Sequence, residues 1–522
     1  MSRELIQALQ DPARHDHEVS DIQLLETHIS WVLLTGSYAY KIKKPMDFGF
    51  LDFSTLERRK NFCGAEVRLN QRLAPELYLD VIPITGSPEA PELGGSGEAF
   101  EYAIRMRQFD QAGMFVSLVE QDALAPEHID QLATQVAAFH QSVPRVSKDS
   151  MLGSVSGVEA PMVQNFEQIR PMISEPQRLL QLDMIEAWSE STLERLKPVI
   201  AARHEKGFVR ECHGDLHLAN ITLHNGEVTV FDCIEFNDEF RFIDVFNDLA
   251  FLLMDLEDRG LTHYASRLLD RYLEHTGDFD ALPLLSFYKA YRAMVRAKIA
   301  LFTMGNDGLS GEDKEALYQR YCQYADLAES YAGIPDRYLI LTTGYSGSGK
   351  SHASLHLSET LGAVRIRSDV ERKRLFGLAP NESSRGALDQ GIYTPEATKR
   401  TYQRLADLSR QILQAGLGVI VDSAALREAE RSLLIAVAEE QGVPAMILVC
   451  DAPEALLRER LQRRAASGNE VSEADEAVLD KQLQVSEPLT DDERRLTLRI
   501  GSEQSSLLTD LAKRIKAHFG HH

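Results

Sequence analysis

The sequence predicts a multidomain fold, α+β in its first part and α/β in its last, the last being a parallel sheet with helices on both faces. Three observations carry the prediction. A chain of 522 residues exceeds one ordinary core, and 44% apolar content is enough to bury more than one. Between residues 26 and 109, apolar runs of strand period surround a single helical run, after which helical patterns dominate. From residue 338 onward, short apolar strands alternate with helices, the pattern that builds a parallel sheet.

Taken in order, residues 2–10 are expected to form a short helix. Residues 26–34 and 38–43 read as two strands joined by the tight Thr35-Gly36-Ser37 turn. Period two puts Lys41 and Lys43 on one face of the second strand, where a lysine can hold phosphates or, with Lys44 and Pro45, simply guard an edge. Residues 54–73 are helical, with Ser54 or Thr55 as N-cap, and carry Glu66, a carboxylate able to orient a strand lysine. Residues 79–84 and 100–109 are strands around a Gly/Pro/Ser-rich hairpin at 86–97. Helices follow at 126–141 and 162–202, the second broken near Pro171 and Pro176.

Segment 213–232 concentrates the chemistry. His213-Gly214-Asp215-Leu216-His217-Leu218-Ala219-Asn220 follows a strand at 208–212, and Val230-Phe231-Asp232 closes a short apolar strand. A phosphoryl acceptor hydroxyl needs a carboxylate to orient it and take its proton, a role open to Asp215. Asn220 and Asp232 offer hard oxygen ligands for Mg²⁺ on nucleotide phosphates, while His213 reads as a brace. This stretch resembles the aminoglycoside phosphotransferase-like, or protein-kinase-like, family. The motif H-G-D-x-H-x-x-N is matched by His213, Gly214, Asp215, His217 and Asn220, the metal Asp by Asp232, and the Asp-Leu-Ala of a following helix by Asp248, Leu249 and Ala250.

The resemblance spans roughly residues 26–332. It implies a two-lobed protein-kinase-like fold, N-lobe about 20–110 and C-lobe about 111–332, using ATP and Mg²⁺. Asp215 would be the catalytic base, Asn220 and Asp232 the metal ligands, and Lys41 the phosphate lysine held by Glu66. No G-x-G-x-x-G precedes Lys41, so Thr27-His28-Ile29-Ser30 would have to serve as phosphate loop, and Phe231-Asp232-Cys233 replaces D-F-G. Both departures fit a small-molecule kinase better than a protein kinase. Glu235, Asp238, Asp244, Asp255, Glu257 and Asp258 could line a site for a cationic acceptor or act as structural acceptors, Asp244 reading as structural.

A linker at 333–337, marked by Gly333 and Pro335, divides residues 1–332 from 338–522. Strand 338–343 then runs into Gly344-Tyr345-Ser346-Gly347-Ser348-Gly349-Lys350-Ser351 and a helix to 361, the context of a Walker A loop. Backbone N–H groups through Gly344, Ser346, Gly347, Ser348 and Gly349 make an anion nest, Lys350 reaches the β and γ phosphates, and Ser351 gives its hydroxyl to Mg²⁺. Strand 363–367 leads to Asp369, placed to orient an acceptor hydroxyl or to cap the next helix, and to the basic run Arg372-Lys373-Arg374. Strand 418–422 ends in Asp422, a candidate for the Mg²⁺ water shell, and 445–451 is a fourth strand. Arg460 and Arg464, i and i+4 on a helix, can converge on one transferring phosphate.

This half resembles the small P-loop kinases such as gluconate kinase, chloramphenicol phosphotransferase, zeta toxin and the polynucleotide kinases. The matching pieces are the Walker loop, the strand ending in Ser368-Asp369, Val421-Asp422-Ser423, and the arginine helix followed by Val471-Ser472-Glu473-Ala474. The resemblance implies Asp369 as acceptor-orienting acid and Arg460 with Arg464 as a lid. Together the two halves imply a bifunctional phosphotransferase acting on small-molecule hydroxyls. The alternatives are a polynucleotide or nucleotide-sugar kinase in the second half, or one domain binding nucleotide to regulate the other. Neither motif separates ATP from GTP.

Charge bears on partners. From residue 336 there are 25 Lys+Arg and 27 Asp+Glu, or −2; of the whole chain's 56 and 79 this leaves 31 and 52, or −21, before it. The acidic first part argues against nucleic acid there, and the near-neutral second part leaves it open. Five scattered cysteines without paired spacing, no secretion signal and no membrane-length apolar run lead to an expectation of reduced thiols in the cytoplasm. Nothing in the sequence fixes an oligomeric state.

Overall fold

The computed structural model describes the chain except residues 1, 20, 48, 50, 307, 334–335, 381, 383–390, 468–474, 502–505 and 520–522. It forms two compact units, each discontinuous in sequence. The first comprises residues 1–131, 138–255 and 291–313; the second comprises 132–137, 256–290 and 314–522.

The first unit opens on a six-stranded antiparallel sheet of β1 (Gln23–Glu26), β2 (Ser30–Leu34), β3 (Tyr38–Lys43), β4 (Tyr78–Ser87), β5 (Ala90–Leu93) and β6 (Glu101–Arg107), in the order β1-β2-β3-β6-β4-β5. The single strand expected at 26–34 is two. The Thr27 hydroxyl accepts the N–H groups of Ile29 and Ser30, and Thr27 N–H donates to the Ser30 carbonyl, so the chain reverses without glycine or proline. Helix Leu56–Asn70, capped by the Thr55 hydroxyl accepting from Arg58 N–H, lies against this sheet through Cys63 and Val67.

Helices Val155–Ile169 and Pro176–Lys206 follow, separated where Pro171 and Pro176 interrupt the ladder. Two small antiparallel pairs then frame the central motif: β7 (Val209–Glu211) with β10 (Phe242–Asp244), and β8 (Ile221–His224) with β9 (Glu227–Val230). Asp244 accepts both arms of buried Arg203, at 2.7 and 2.9 Å, while the guanidinium stacks 4.1 Å from the Phe208 ring.

The second unit is organised on a five-stranded parallel sheet of β11 (Leu339–Thr343), β12 (Val364–Arg367), β13 (Val419–Asp422), β14 (Ala445–Asp451) and β15 (Thr497–Gly501), in the order β12-β13-β11-β14-β15. Every residue of β11 and β13 is buried, as expected of strands covered on both faces. The fifth strand escaped the sequence reading because Thr497-Leu498-Arg499-Ile500-Gly501 is half polar, a composition that only an edge position tolerates. Helix Thr262–Thr276 belongs to this unit and packs on β12 and on helix Lys350–Leu361.

Candidate functional site

In the first unit, three separate segments meet at one cluster. Lys41 Nζ on β3 lies 2.7 Å from Glu66 Oε1 and 2.6 Å from Asp232 Oδ1. Asp232 takes a left-handed backbone, φ +65°, just past β9, and its side chain is 41% exposed. Burial alone would lower the Lys41 pKa, but Asp232 and Glu66 outweigh it and hold the ammonium above its ordinary range. Burial likewise opposes ionisation of Glu66, yet Lys41 and Lys43 bring it down to about 2.

Lys43, which the spacing put on the same strand face as Lys41, has partners the sequence reading did not foresee. It is 1% exposed, donates to Glu66 Oε2 at 2.5 Å and to Glu235, and sits over the Phe53 ring. Two lysines therefore share one helix carboxylate, the outer one beside Asp232 and the inner one locked to Glu235. The period-two spacing announced both, but no local signal said that Glu235 would reach back to β3.

The Asp215 loop is fixed from every side. Asp248 accepts the N–H of His213 at 3.0 Å and of Gly214 at 2.9 Å, and it also meets His140 Nε2. Arg292 donates to the Gly214 carbonyl at 3.1 Å and to Asn247 at 2.8 Å, with Phe251 beneath it. Gly214 has φ +88°, and a Cβ there would stand 2.7 Å from the Phe240 carbonyl oxygen. His213 bridges the Phe231 carbonyl at 2.8 Å and the Asp215 N–H at 3.2 Å.

Asp215 itself is 37% exposed and lies 3.2 Å from His217 Nε2. Burial pushes its pKa up, but His217, Arg296 and His213 win and hold it below the ordinary carboxylate range. Asn220 Nδ2 donates to Asp215 O and Oδ2, which leaves Asn220 Oδ1 as the atom available to a cation. An amide oxygen and a carboxylate are hard donors of the kind a divalent ion such as Mg²⁺ takes.

Acidic side chains considered for a cationic acceptor are each engaged by protein. Glu235 pairs with Lys43, Asp238 with Arg241 and Asp244 with Arg203. Asp255 accepts from Leu218 N–H, Glu257 from Lys289 and Tyr331, and Asp258 from Arg320. These contacts give each a structural partner, and for five of the six that partner is a cation. The buried trio His140, Cys212 and Asp248 is geometrically close enough for a metal, but both Asp248 oxygens already receive loop N–H groups.

In the second unit, β11 runs into the glycine-rich loop. Gly344 could not carry a side chain, since a Cβ would lie 2.5 Å from the Cys450 carbonyl oxygen, and Gly347 and Gly349 have φ +83° and +93°. Gly349 caps helix Lys350–Leu361. Ser346 N–H donates to Gln482 Oε1 at 2.8 Å, Lys350 Nζ to the Tyr345 carbonyl at 2.7 Å and Arg460 to the Gly347 carbonyl at 3.0 Å. Ser348 Oγ is buried and Ser351 is exposed at the loop's end. Gln482 was not foreseen; nothing in its sequence neighbourhood marks it.

Asp422 ends β13 in register with Arg367, and its Oδ2 is buried without a hydrogen-bond partner among the described residues. Asp369 stands half-buried in the first turn of helix Ser368–Leu375, whose N-cap is Arg367, so Asp369 is not the cap. Arg372 and Lys373 are turned to the Ile392 and Pro380 carbonyls, and Arg374 to Glu371 and to the Leu273 and Glu274 carbonyls. Arg464 is in helix Glu454–Ser467, but its side chain and residues 471–474 lie outside the described residues.

A kinase-like N-terminal domain and a P-loop domain on a parallel sheet are thus the class this fold defines. A phosphotransferase enzyme family model matches residues 63–285 and an AAA domain model matches 339–489. The Mycobacterium tuberculosis protein Rv2004c and the Mycobacterium bovis protein Mb2027c are each 30% identical over 413 residues, covering 78% of this chain and 79% of theirs. The chain belongs to their family. Among solved structures it is similar to a choline/ethanolamine kinase family protein from Mesorhizobium loti, with TM-score 0.37, 11% identity, and 63% and 98% of the two chains covered. Another is a gluconokinase from Sinorhizobium meliloti, with TM-score 0.25, 19% identity, and 35% and 98% covered. The kinase domains imply nucleotide binding and phosphotransferase activity.

Proposed function

We propose that the chain is an ATP- and Mg²⁺-dependent phosphotransferase with two centres, each passing a γ-phosphoryl group to the hydroxyl of a small molecule. The observation that carries this is the meeting of Lys41, Glu66 and Asp232, from three separate segments, within 2.7 Å. At the first centre Lys41 holds nucleotide phosphate oxygens, oriented by Glu66. Asp215 accepts a hydrogen bond from the acceptor hydroxyl and takes its proton as the new P–O bond forms. Its depressed pKa makes it an orienting group first and a weak base second. Asn220 Oδ1 and Asp232 would hold Mg²⁺, which neutralises phosphate charge when bound.

At the second centre the loop N–H groups cradle the phosphates, and Lys350 exchanges the Tyr345 carbonyl for phosphate oxygen. Asp369 orients the acceptor, Arg460 and Arg464 cover the transferred group, and Ser351 with Asp422 would serve Mg²⁺. Pairing of Glu235, Asp238, Asp244, Glu257 and Asp258 with lysine or arginine favours a neutral or anionic acceptor over a polycation. The test is ATP turnover by wild type, Asp215→Asn and Lys350→Ala against aminoglycosides, sugars, nucleosides and 5′-hydroxyl oligonucleotides. Each variant should abolish a different acceptor's phosphorylation, or successive steps on one. A variant matching wild type on every acceptor refutes catalysis at that centre. Phosphorylation of the oligonucleotides alone would make the second centre a polynucleotide kinase.

A further inference from the structure

The second centre draws residues from outside the P-loop segment. Helix Thr262–Thr276 sends Asp270 and Glu274 to the strand that bears Arg365 and Arg367. Arg365, 2% exposed, is gripped by both Asp270 oxygens at 3.1 and 2.8 Å and by Glu274 Oε1 at 3.1 Å. Its remaining arm donates to the carbonyl of Ser351, the last residue of the phosphate loop. Arg367 donates to the same Glu274 oxygen at 3.1 Å, and Arg271 holds the other at 2.9 Å. Burial disfavours a charge on Glu274, but Arg367, Arg365 and Arg271 keep it ionised, down to about 2.

The consequence is at Asp422. Both guanidinium groups face its Oδ2 but stop at 3.7 Å and 3.6 Å, beyond hydrogen-bond reach, and that buried oxygen has no other partner among the described residues. Two arginines beside a buried carboxylate close on it unless something stronger holds them. Here Asp270 and Glu274 are what holds them.

We infer that Asp270 and Glu274 are positioning residues of the P-loop centre: they restrain Arg365 and Arg367 so that Asp422 keeps one carboxylate oxygen for the Mg²⁺ shell. The inference rests on the P-loop reading above. It gives the helix a task that neither a free-standing P-loop domain nor a free-standing phosphotransferase domain would need. Losing Glu274 releases Arg367 onto Asp422, and Mg²⁺ must then compete with a guanidinium.

The test uses the full chain and a fluorescent ADP analogue, following the part of the binding signal that Lys350→Ala removes, across a Mg²⁺ titration. In Glu274→Ala the Mg²⁺ concentration for half-maximal binding should rise about tenfold, the usual scale for disturbing a residue that supports a metal ligand, while binding in EDTA is unchanged. Glu274→Gln, which keeps the shape, should shift it in the same direction by less. Adding Arg367→Leu to Glu274→Ala should return the Mg²⁺ dependence to wild type, which a merely structural loss would not do. An unchanged Mg²⁺ dependence in both Glu274 variants, or a shift that Arg367→Leu does not reverse, overturns the inference. If Lys350→Ala removes no binding signal, the P-loop reading itself fails and takes the inference with it.

Discussion

Replacing Glu66 by Gln tests how the first centre holds its charges. The carboxylate is fully buried between Lys41 and Lys43, and those lysines depress its pKa from 4.5 to about 2 despite burial. A depressed acid stabilises the fold above its unfolded pKa and loses that contribution as pH falls through the folded value. That depression corresponds to a contribution on the order of 3 kcal/mol at pH 7, which shrinks as pH falls toward the folded value. Glu235 works in the opposite sense, since burial raises its pKa against the pull of Lys43, so the wild-type pH profile mixes the two. The difference between wild type and Glu66→Gln reads Glu66 together with the part of the Glu235 shift that Glu66 causes. The chain's two tryptophans, Trp31 and Trp188, both lie in the first unit, so urea unfolding followed by tryptophan fluorescence reports that unit alone. The expected result is a loss on the order of 3 kcal/mol at pH 7 that narrows toward acid pH. A loss below about 1 kcal/mol, the scale of an exposed pair, or one that widens toward acid pH, refutes the reasoning.

Other consequences are as direct. Asp244→Ala leaves the Arg203 guanidinium buried without its bidentate partner and should cost about 3–5 kcal/mol in the same fluorescence assay. Gly214→Ala forces a Cβ onto the Phe240 carbonyl at positive φ, a strain of about 1–2 kcal/mol before the clash is counted. It should lower Asp215-dependent turnover at least tenfold while leaving Lys350-dependent turnover unchanged. All five cysteines are buried, with burial pushing the Cys63 and Cys450 thiols up to about 12 and the Cys212 thiol well above its ordinary range. Native protein at pH 8 should therefore leave a thiol-reactive dye unconsumed, with five equivalents appearing on denaturation.

Local signals carried much of this into the sequence. Asp215 and Asn220 lie five residues apart in one loop, and Asp232 follows a single hairpin, so chain geometry alone brings them near each other. The phosphate loop was legible because strand, glycines and helix are contiguous. What the sequence hid was long-range: Lys43 with Glu235, 192 residues away, and Arg365 with Asp270, 95 away. Opposite charges on distant elements have no period, and composition cannot say which of many carboxylates a lysine will meet. The turn at Thr27 hid for a different reason, since a threonine hydroxyl did the work usually signalled by glycine.

Helix Thr262–Thr276 also bears on how such a chain can be inherited. A fragment ending before residue 333 would keep Asp270, Glu274 and Arg271 but lose Arg365 and Arg367. A fragment starting at 338 would keep Arg365, nearly inaccessible to water, with neither of those carboxylates. Either piece loses the close ion pairs of the intact chain: Glu274 is left with Arg271 alone and Arg365 with the more distant Asp422, a weakening set against a typical stability of only about 5–15 kcal/mol. Gene fission near the junction is therefore costly, and two domains that could each have spread alone are expected to travel as one reading frame.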